Sequence, residues 1–501
     1  MKPRQTNAPS ERNGQGRDRG HAVVVGGSMA GLLATRGLSE HFRRVTIVER
    51  DRFPEGPAFR KGVPQSRFPH VLLPAGLSVL RRLFPGIVEE LADAGAVRYL
   101  WPRDALWLTP GGWSGRFAHD EGRVALSQSR ELVEWAVRRR VAALENVRVL
   151  EGREATGLLA SADRREVTGV RLRPRPSAGA GKGEELNANL VVDASGRNSP
   201  APRWLGELGY EPPEETNIDA FLGYAGRTYA VPPGPRVGWK IIFIQANPPT
   251  DGRGGILLPV EGGCWSVALF GGGRDYPPTD EEGFLAFARS LRSPVLYEAI
   301  RRAEPLTPIH GYRRTANRRR HYERLRRLPE RFLVTGDAAC AFNPVYGQGM
   351  SVAAAEAGAL DRCLREGRRR RRPGGKLTGL SRRFQNEVAR SHAGAWTIAS
   401  GEDLRYPTAE GARRDLPTRL SHRYFDRVLR AAMGDQAVNL AFVDVIGLLA
   451  PPASLFRPSV LLRALRNGGI GASAQPPSSV LHAEPPGLRA CGIGEDGGGA
   501  R

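Results

Sequence analysis

The sequence predicts an α/β fold: a discontinuous Rossmann-like domain, an antiparallel-sheet domain set within it, and a helical C-terminal region. Three observations carry this reading. A strand–glycine turn–helix–strand unit stands near the start, a β-rich stretch punctuated by Gly and Pro fills 221–273, and a second strand–loop–helix passage returns at 331–360. At 501 residues the chain has room for two or three structural units.

Taken in order, residues 1–20 are polar, carry Arg4, Arg12, Arg17 and Arg19, and read as a disordered segment, not a secretory signal. His21 to Val25 reads as a strand, about Met29 to Ser39 as a helix and VTIVER (45–50) as a second strand. This βαβ unit opens a nucleotide-binding domain whose first part covers 21–205, with an irregular excursion at about 51–120. SRELVEWAVRRRVAAL (129–144) has helical spacing, and short strands lead to LVVDASGR (190–197). A β-rich domain is expected over 206–325, a return of the nucleotide domain over 326–366, helices over 376–470 and a Gly/Pro-rich flexible tail over 471–501.

Composition narrows the class. Four cysteines (Cys264, Cys340, Cys363, Cys491) show no metal or disulfide spacing, which suits a reducing, cytoplasmic setting. The longest apolar run, 437–450, contains Asn439 and Asp444 and ends at Pro451, so it reads as a buried helix and no transmembrane segment is expected. Net charge is +22, yet the only lysines are Lys2, Lys61, Lys182, Lys240 and Lys376. An arginine bias across the whole chain, with no zinc-finger, RNA-binding or basic-heptad pattern, argues against nucleic-acid binding.

Two constellations carry chemistry. In VVVGGSMAG, Gly26 and Gly31 allow a tight turn and close helix packing, and free N–H groups at the helix start face a pyrophosphate. Ser28 replaces the usual middle glycine, so its backbone should keep negative φ. Glu49 ends the second strand, where a carboxylate can accept from a ribose diol. A tight strand–helix corner also selects glycine, so the turn alone does not decide. The second constellation is TGDAACAFNPVYGQGM (335–350). Asp337 at a strand end can hold polyol hydroxyls, and Gly347-Gln348-Gly349 leads into the Ala-rich helix from Met350, whose positive N-terminus suits an anionic ring.

These motifs resemble the FAD-dependent monooxygenases of the glutathione-reductase-type fold, the class of p-hydroxybenzoate hydroxylase and squalene epoxidase. Within it, the chain is most similar to bacterial epoxidases acting on polyene intermediates of polyether antibiotics. The resemblance covers about 21–365 and rests on ERD (49–51), RKGVPQSRFPH (60–70), SQSREL (127–132), DASGR (193–197), GGILLPVEGG (254–263) and the GD…NPVYGQGM block. It implies that Gly26, Ser28, Met29, Ala30 and Gly31 form the pyrophosphate turn. Glu49 would hold the adenosine ribose and Arg50 would pack near adenine, with a backbone contact from Ala155. Arg60 and Arg130 would meet the phosphate or ribityl portion and Asp337 the ribityl chain. Pro344, Gly347, Gly349 and Met350 would lie against the isoalloxazine.

The implied reaction is insertion of one oxygen atom from O₂ through a flavin C4a-hydroperoxide, most simply epoxidation of an apolar polyene or polyketide in antibiotic biosynthesis. The flavin carries that chemistry, so no catalytic acid–base pair is nominated. An aromatic-ring hydroxylase of the same fold is the main alternative, and a flavin-dependent alkene reductase a weaker one. A halogenase is disfavoured, since no W-x-W occurs and no lysine lies between Lys61 and Lys182. Electrons would come from NAD(P)H, directly or through a separate flavin reductase. The 221–273 sheet should floor the substrate pocket, with Tyr224, Trp239, Phe243 and Trp265 as wall candidates, although strand alternation sends some of these to the core. No metal is expected.

Overall fold

In the computed structural model, residues 19–118, 123–175, 183–233, 238–369 and 377–467 are described. The expectations for residues 1–18 and for the 471–501 tail lie outside them. Five parallel strands form the central sheet, in the order Phe332–Val334, Leu190–Asp193, Arg19–Val25, Phe42–Val48, Val147–Leu150. Val23, Val24, Val191, Val192 and Leu333 are fully buried, as expected of a parallel sheet covered on both faces. The helix Met29–Ser39 packs Leu32 and Leu33 against Ala354 and Ala357 of the long helix Gly349–Arg369. The first strand begins at Arg19, two positions inside the stretch expected to be disordered. It pairs there with Phe42, and the side chain of Asn189 accepts from the His21 N–H at 2.8 Å.

Register places the functional loops. Val25 aligns with both Asp193 and Val48, and Asp193 aligns with Val334. All these strands run the same way, so Gly26, Glu49, Ala194 and Thr335 leave the sheet together at its carboxyl edge, where open α/β sheets bind ligands.

A seven-stranded sheet follows the order His310–Tyr312, Gly223–Ala230, Cys264–Gly271, Arg253–Val260, Ile241–Ile244, Ala105–Thr109, Gly112–Trp113. Ala105–Thr109 comes from the 51–120 excursion, is buried throughout, and joins by parallel pairing with Ile241–Ile244. One face packs on the helices Glu281–Arg289 and Val295–Ile300. The other faces the crevice and the C-terminal helices Leu380–Asp403, Leu416–Gly434, Gln436–Ile446 and Pro458–Asn467. Gln436–Ile446 lies in the apolar run read as a buried helix, and its Val438, Phe442 and Val445 are buried against this sheet.

Among the described residues, no helix is long and apolar enough to cross a membrane. Cys340 and Cys363 are buried free thiols, and Cys264 is buried. Much of the arginine run at 313–327 is engaged internally: Arg320 donates to Glu215 at 2.7 Å, Arg319 to Glu323 at 3.0 Å and Arg324 to Glu214 at 3.1 Å.

Candidate functional site

The crevice at the carboxyl edge is a cavity of about 760 Å³ that runs from the first glycine turn to the seven-stranded sheet. Gly26 adopts φ +102°, and a Cβ at position 31 would sit 1.8 Å from the Gly26 carbonyl oxygen. Only glycine permits this corner. Ser28 stands at the helix N-cap with φ −92°, the negative value its Cβ demands, and its hydroxyl makes no capping bond. The Ser28 Oγ instead donates to Glu134 Oε2 at 2.9 Å and accepts from Arg130 Nη2 at 2.8 Å. The helix start therefore has no side-chain acceptor of its own, the arrangement that receives a phosphate.

Glu49 is buried and held in place. Its Oε2 accepts from Gly27 N–H at 2.7 Å and its Oε1 from Asp51 N–H at 2.9 Å. Arg60 lies among three carboxylates: Nε donates to Glu134 at 2.8 Å, while Nη1 stands 3.3 Å from Asp51 and 3.5 Å from Glu49. Burial pulls the Arg60 pKa down, but the charges of Glu134, Glu49 and Asp51 win and raise it. Its Nη2 is buried and has no hydrogen-bond partner. A buried guanidinium donor left open beside a cavity fits an anionic oxygen of a bound group. Arg130 pairs with Glu134 at 2.7 Å and donates to Met350 Sδ at 3.1 Å, tying the first turn to the NPVYGQGM block.

At the other side of the cavity, Asp337 follows the strand Phe332–Val334. Burial raises its carboxyl pKa, opposed by Arg197, Arg130 and Arg318. Glu356 fixes this turn from behind: its Oε2 accepts from Gly336 N–H at 2.6 Å and from Thr335 Oγ1, and its Oε1 meets buried His392. Asp403 fixes the next loop, accepting from Asn317 Nδ2 at 2.7 Å, Asn343 Nδ2 at 2.9 Å and Tyr346 OH at 2.7 Å. His392, which meets Glu356, and Asp403 belong to one helix, Leu380–Asp403, while Glu356 itself lies on Gly349–Arg369.

Gly26, Ser28, Met29, Ala30, Glu49, Arg50, Arg60, Arg130, Ala155, Asp337, Pro344, Gly347, Gly349 and Met350 all line the cavity. Gly31 sits behind the turn. Among the aromatic candidates, Tyr224 and Phe243 line the cavity and Trp239 and Trp265 do not. The pleat decides this: Trp265 lies opposite Tyr229, pointing away from the crevice, and stacks on Trp239 with centroids 5.9 Å apart. These two tryptophans are therefore corrected to the opposite face. Phe68 and Tyr312 take their place beside Tyr224, with centroids 4.5 Å and 5.3 Å from its ring.

The chain matches the FAD binding domain family over residues 20–375. It belongs to this family of FAD-dependent monooxygenases and halogenases. Protein Rv3254 of Mycobacterium tuberculosis is 32% identical over 440 residues, covering 87% of this chain and 90% of the relative. Among solved structures, the flavin-dependent brominase Bmp2 aligns with a TM-score of 0.59 at 15% identity, over 89% of this chain and 98% of that one. PqsL, a probable FAD-dependent monooxygenase from Pseudomonas aeruginosa, aligns with a TM-score of 0.55 at 18% identity, over 77% and 98%. At these identities the two structures share the fold. The open Arg60 donor, the glycine corner and the Asp337 carboxyl fit the FAD that the family binds.

Sequence reasoning missed Glu134, Glu356, His392, Asp403 and His70. The first had a signal, since Arg130 and Glu134 stand four apart on a helix. His70 lines the cavity at the end of the RKGVPQSRFPH segment. Its Nδ1 donates to the Phe68 carbonyl at 2.9 Å, and burial and Arg130 push its pKa down to about 4, so the imidazole is neutral near pH 7.

Proposed function

We propose that this family member is a monooxygenase that places one oxygen atom from O₂ on a carbon–carbon double bond of an apolar polyene or polyketide, an epoxidation. The observation that carries this reading is the sheet wall of the cavity. Tyr224, Phe243, Ile256, Leu258, Ala268, Phe270 and Tyr312 line it, and none of them is charged. Such a wall takes an apolar chain by area burial and by face-on contact with its π-system.

Bound FAD supplies the oxygen activation. The chain's own part is to hold it, to orient substrate and to exclude water. Glu49 would hold the ribose, Arg60 and Arg130 the phosphates, Asp337 the ribityl hydroxyls, and the N-terminus of Gly349–Arg369 would face the ring. The aromatic cluster of Phe68, Tyr224, Phe270 and Tyr406 keeps the substrate end dry. Among the described residues, the one lysine lining the cavity, Lys61, is exposed and adjoins Arg60, away from the sheet strands, which weighs against a halogenase reading.

NAD(P)H is the proposed electron source, with O₂ and a small apolar molecule as the other reactants. Aerobic turnover with NADPH, with and without an added flavin reductase, against a panel of polyenes and phenols tests the reading. Epoxides from polyenes would support it. Ring-hydroxylated phenols with untouched polyenes would replace it with aromatic hydroxylation.

A further inference from the structure

We propose that a second, arginine-lined cavity binds a hydroxyl-bearing organic phosphate. The cavity has a volume of about 560 Å³ and lies between the loops at 110–111 and 247–250 and the helix Leu416–Gly434. It shares no lining residue with the FAD cavity.

On the helix, Arg419, Arg423, Asp426 and Arg430 recur at alternating four- and three-residue steps and so share one face. Arg405 and Arg414 join them from the preceding segment. Arg405 is held by two carboxylates, Asp426 at 2.8 Å and Glu402 at 2.9 Å, and among the described residues no carboxylate pairs with Arg414, Arg419 or Arg423. The three guanidinium groups of Arg414, Arg419 and Arg423, gathered on one concavity, favour an anion, and their planar donors match phosphate oxygens.

Two buried atoms narrow the ligand further. Arg414 Nε and His422 Nδ1 have no hydrogen-bond partner. His422 is 8% exposed, and its Nε2 lies 2.8 Å from the Gly401 carbonyl oxygen. A carbonyl only accepts, so Nε2 carries the proton and Nδ1 is a bare lone pair. Burial, followed by Arg405, lowers the His422 pKa with help from Arg414 and against Glu402, which keeps that tautomer neutral. The cavity thus asks for acceptor oxygens at Arg414 and a hydroxyl donor at His422. Inorganic phosphate at neutral pH meets the first demand far better than the second, and it leaves most of the volume unfilled. A sugar phosphate meets both, and Pro110, Pro248 and Pro249 offer an apolar wall to its carbon skeleton.

Calorimetric titration of the FAD-loaded full-length protein at physiological salt tests this, with ribose 5-phosphate, ribose and inorganic phosphate as probes. Ribose 5-phosphate should bind with one-to-one stoichiometry, ribose should give no heat, and inorganic phosphate should bind about tenfold more weakly. Arg419 and Arg423 are exposed, so the double variant R419Q/R423Q should keep its flavin absorbance and melting temperature. It should bind ribose 5-phosphate about tenfold more weakly. No heat from ribose 5-phosphate, equal binding of inorganic phosphate, or unchanged binding in the double variant would each overturn the proposal.

Discussion

Asp403 closes the helix Leu380–Asp403 and accepts from the Asn343 side chain at 2.9 Å, so a residue of the C-terminal region holds the N-P turn that lines the large cavity. The same carboxyl takes Asn317 and the Tyr346 hydroxyl. Asp403→Ala leaves these buried donors without their acceptor, at a cost of about 1–3 kcal/mol. The expected result is a lower midpoint in urea unfolding together with faster FAD release, read by flavin fluorescence. An unchanged FAD off-rate would mean that the clamp does not reach the cofactor.

His392 sets a pH dependence. Burial pulls its pKa down, but neighbouring Cys340 and Glu356 outweigh burial and push it up to about 10. The folded value lies above the unfolded value of about 6.5, so the folded state binds more protons between the two. The stabilisation is complete below pH ~6.5 and is lost as pH rises through about 10. Melting temperatures should therefore fall more between pH 7 and pH 10 in the wild type than in His392→Gln. Parallel curves would show that the pair is not charged.

At the opening turn, Gly31→Ala places a methyl group 1.8 Å from the Gly26 carbonyl. The helix must move off the strand, and the protein should purify without flavin absorbance. Ser28→Ala should behave differently, because Arg130 and Glu134 keep their own contact at 2.7 Å when the hydroxyl is lost. It should retain FAD. A yellow Gly31→Ala protein would show that this corner is not part of the cofactor site.

The two faces of the large sheet give a matched pair. Phe243→Ala enlarges the cavity wall and should raise the KM for substrate several-fold, with a modest loss of stability. Trp239→Leu acts on the face toward Glu281–Arg289 and should cost about 1–3 kcal/mol of stability while leaving KM alone. Urea unfolding and steady-state kinetics on both variants separate the roles. A KM change in Trp239→Leu would return that tryptophan to the substrate wall.

The glycine-turn and Asp337 ends of the cavity were legible because their signals are local. Gly26, Gly31 and Glu49 lie within one βαβ unit, and Asp337 to Met350 form one strand–loop–helix passage. The supports behind them were not legible, because Glu356–His392 and Asn343–Asp403 join residues 36 and 60 positions apart whose meeting depends on helix packing. The strand Ala105–Thr109 escaped for a similar reason. Its partner, Ile241–Ile244, is far away in sequence, and parallel pairing leaves no hairpin signal. Trp239 and Trp265 show the limit of composition, since an aromatic on a two-sided buried sheet carries no mark of which face it takes.

The most direct test of the central claim is a single turnover of the reduced, FAD-loaded enzyme with a polyene under ¹⁸O₂, read by mass spectrometry of the product. Epoxidation should add one ¹⁸O atom per double bond attacked, with the second oxygen atom leaving as water. Unlabelled product, or hydrogen peroxide as the sole fate of O₂ for every alkene offered, would contradict it.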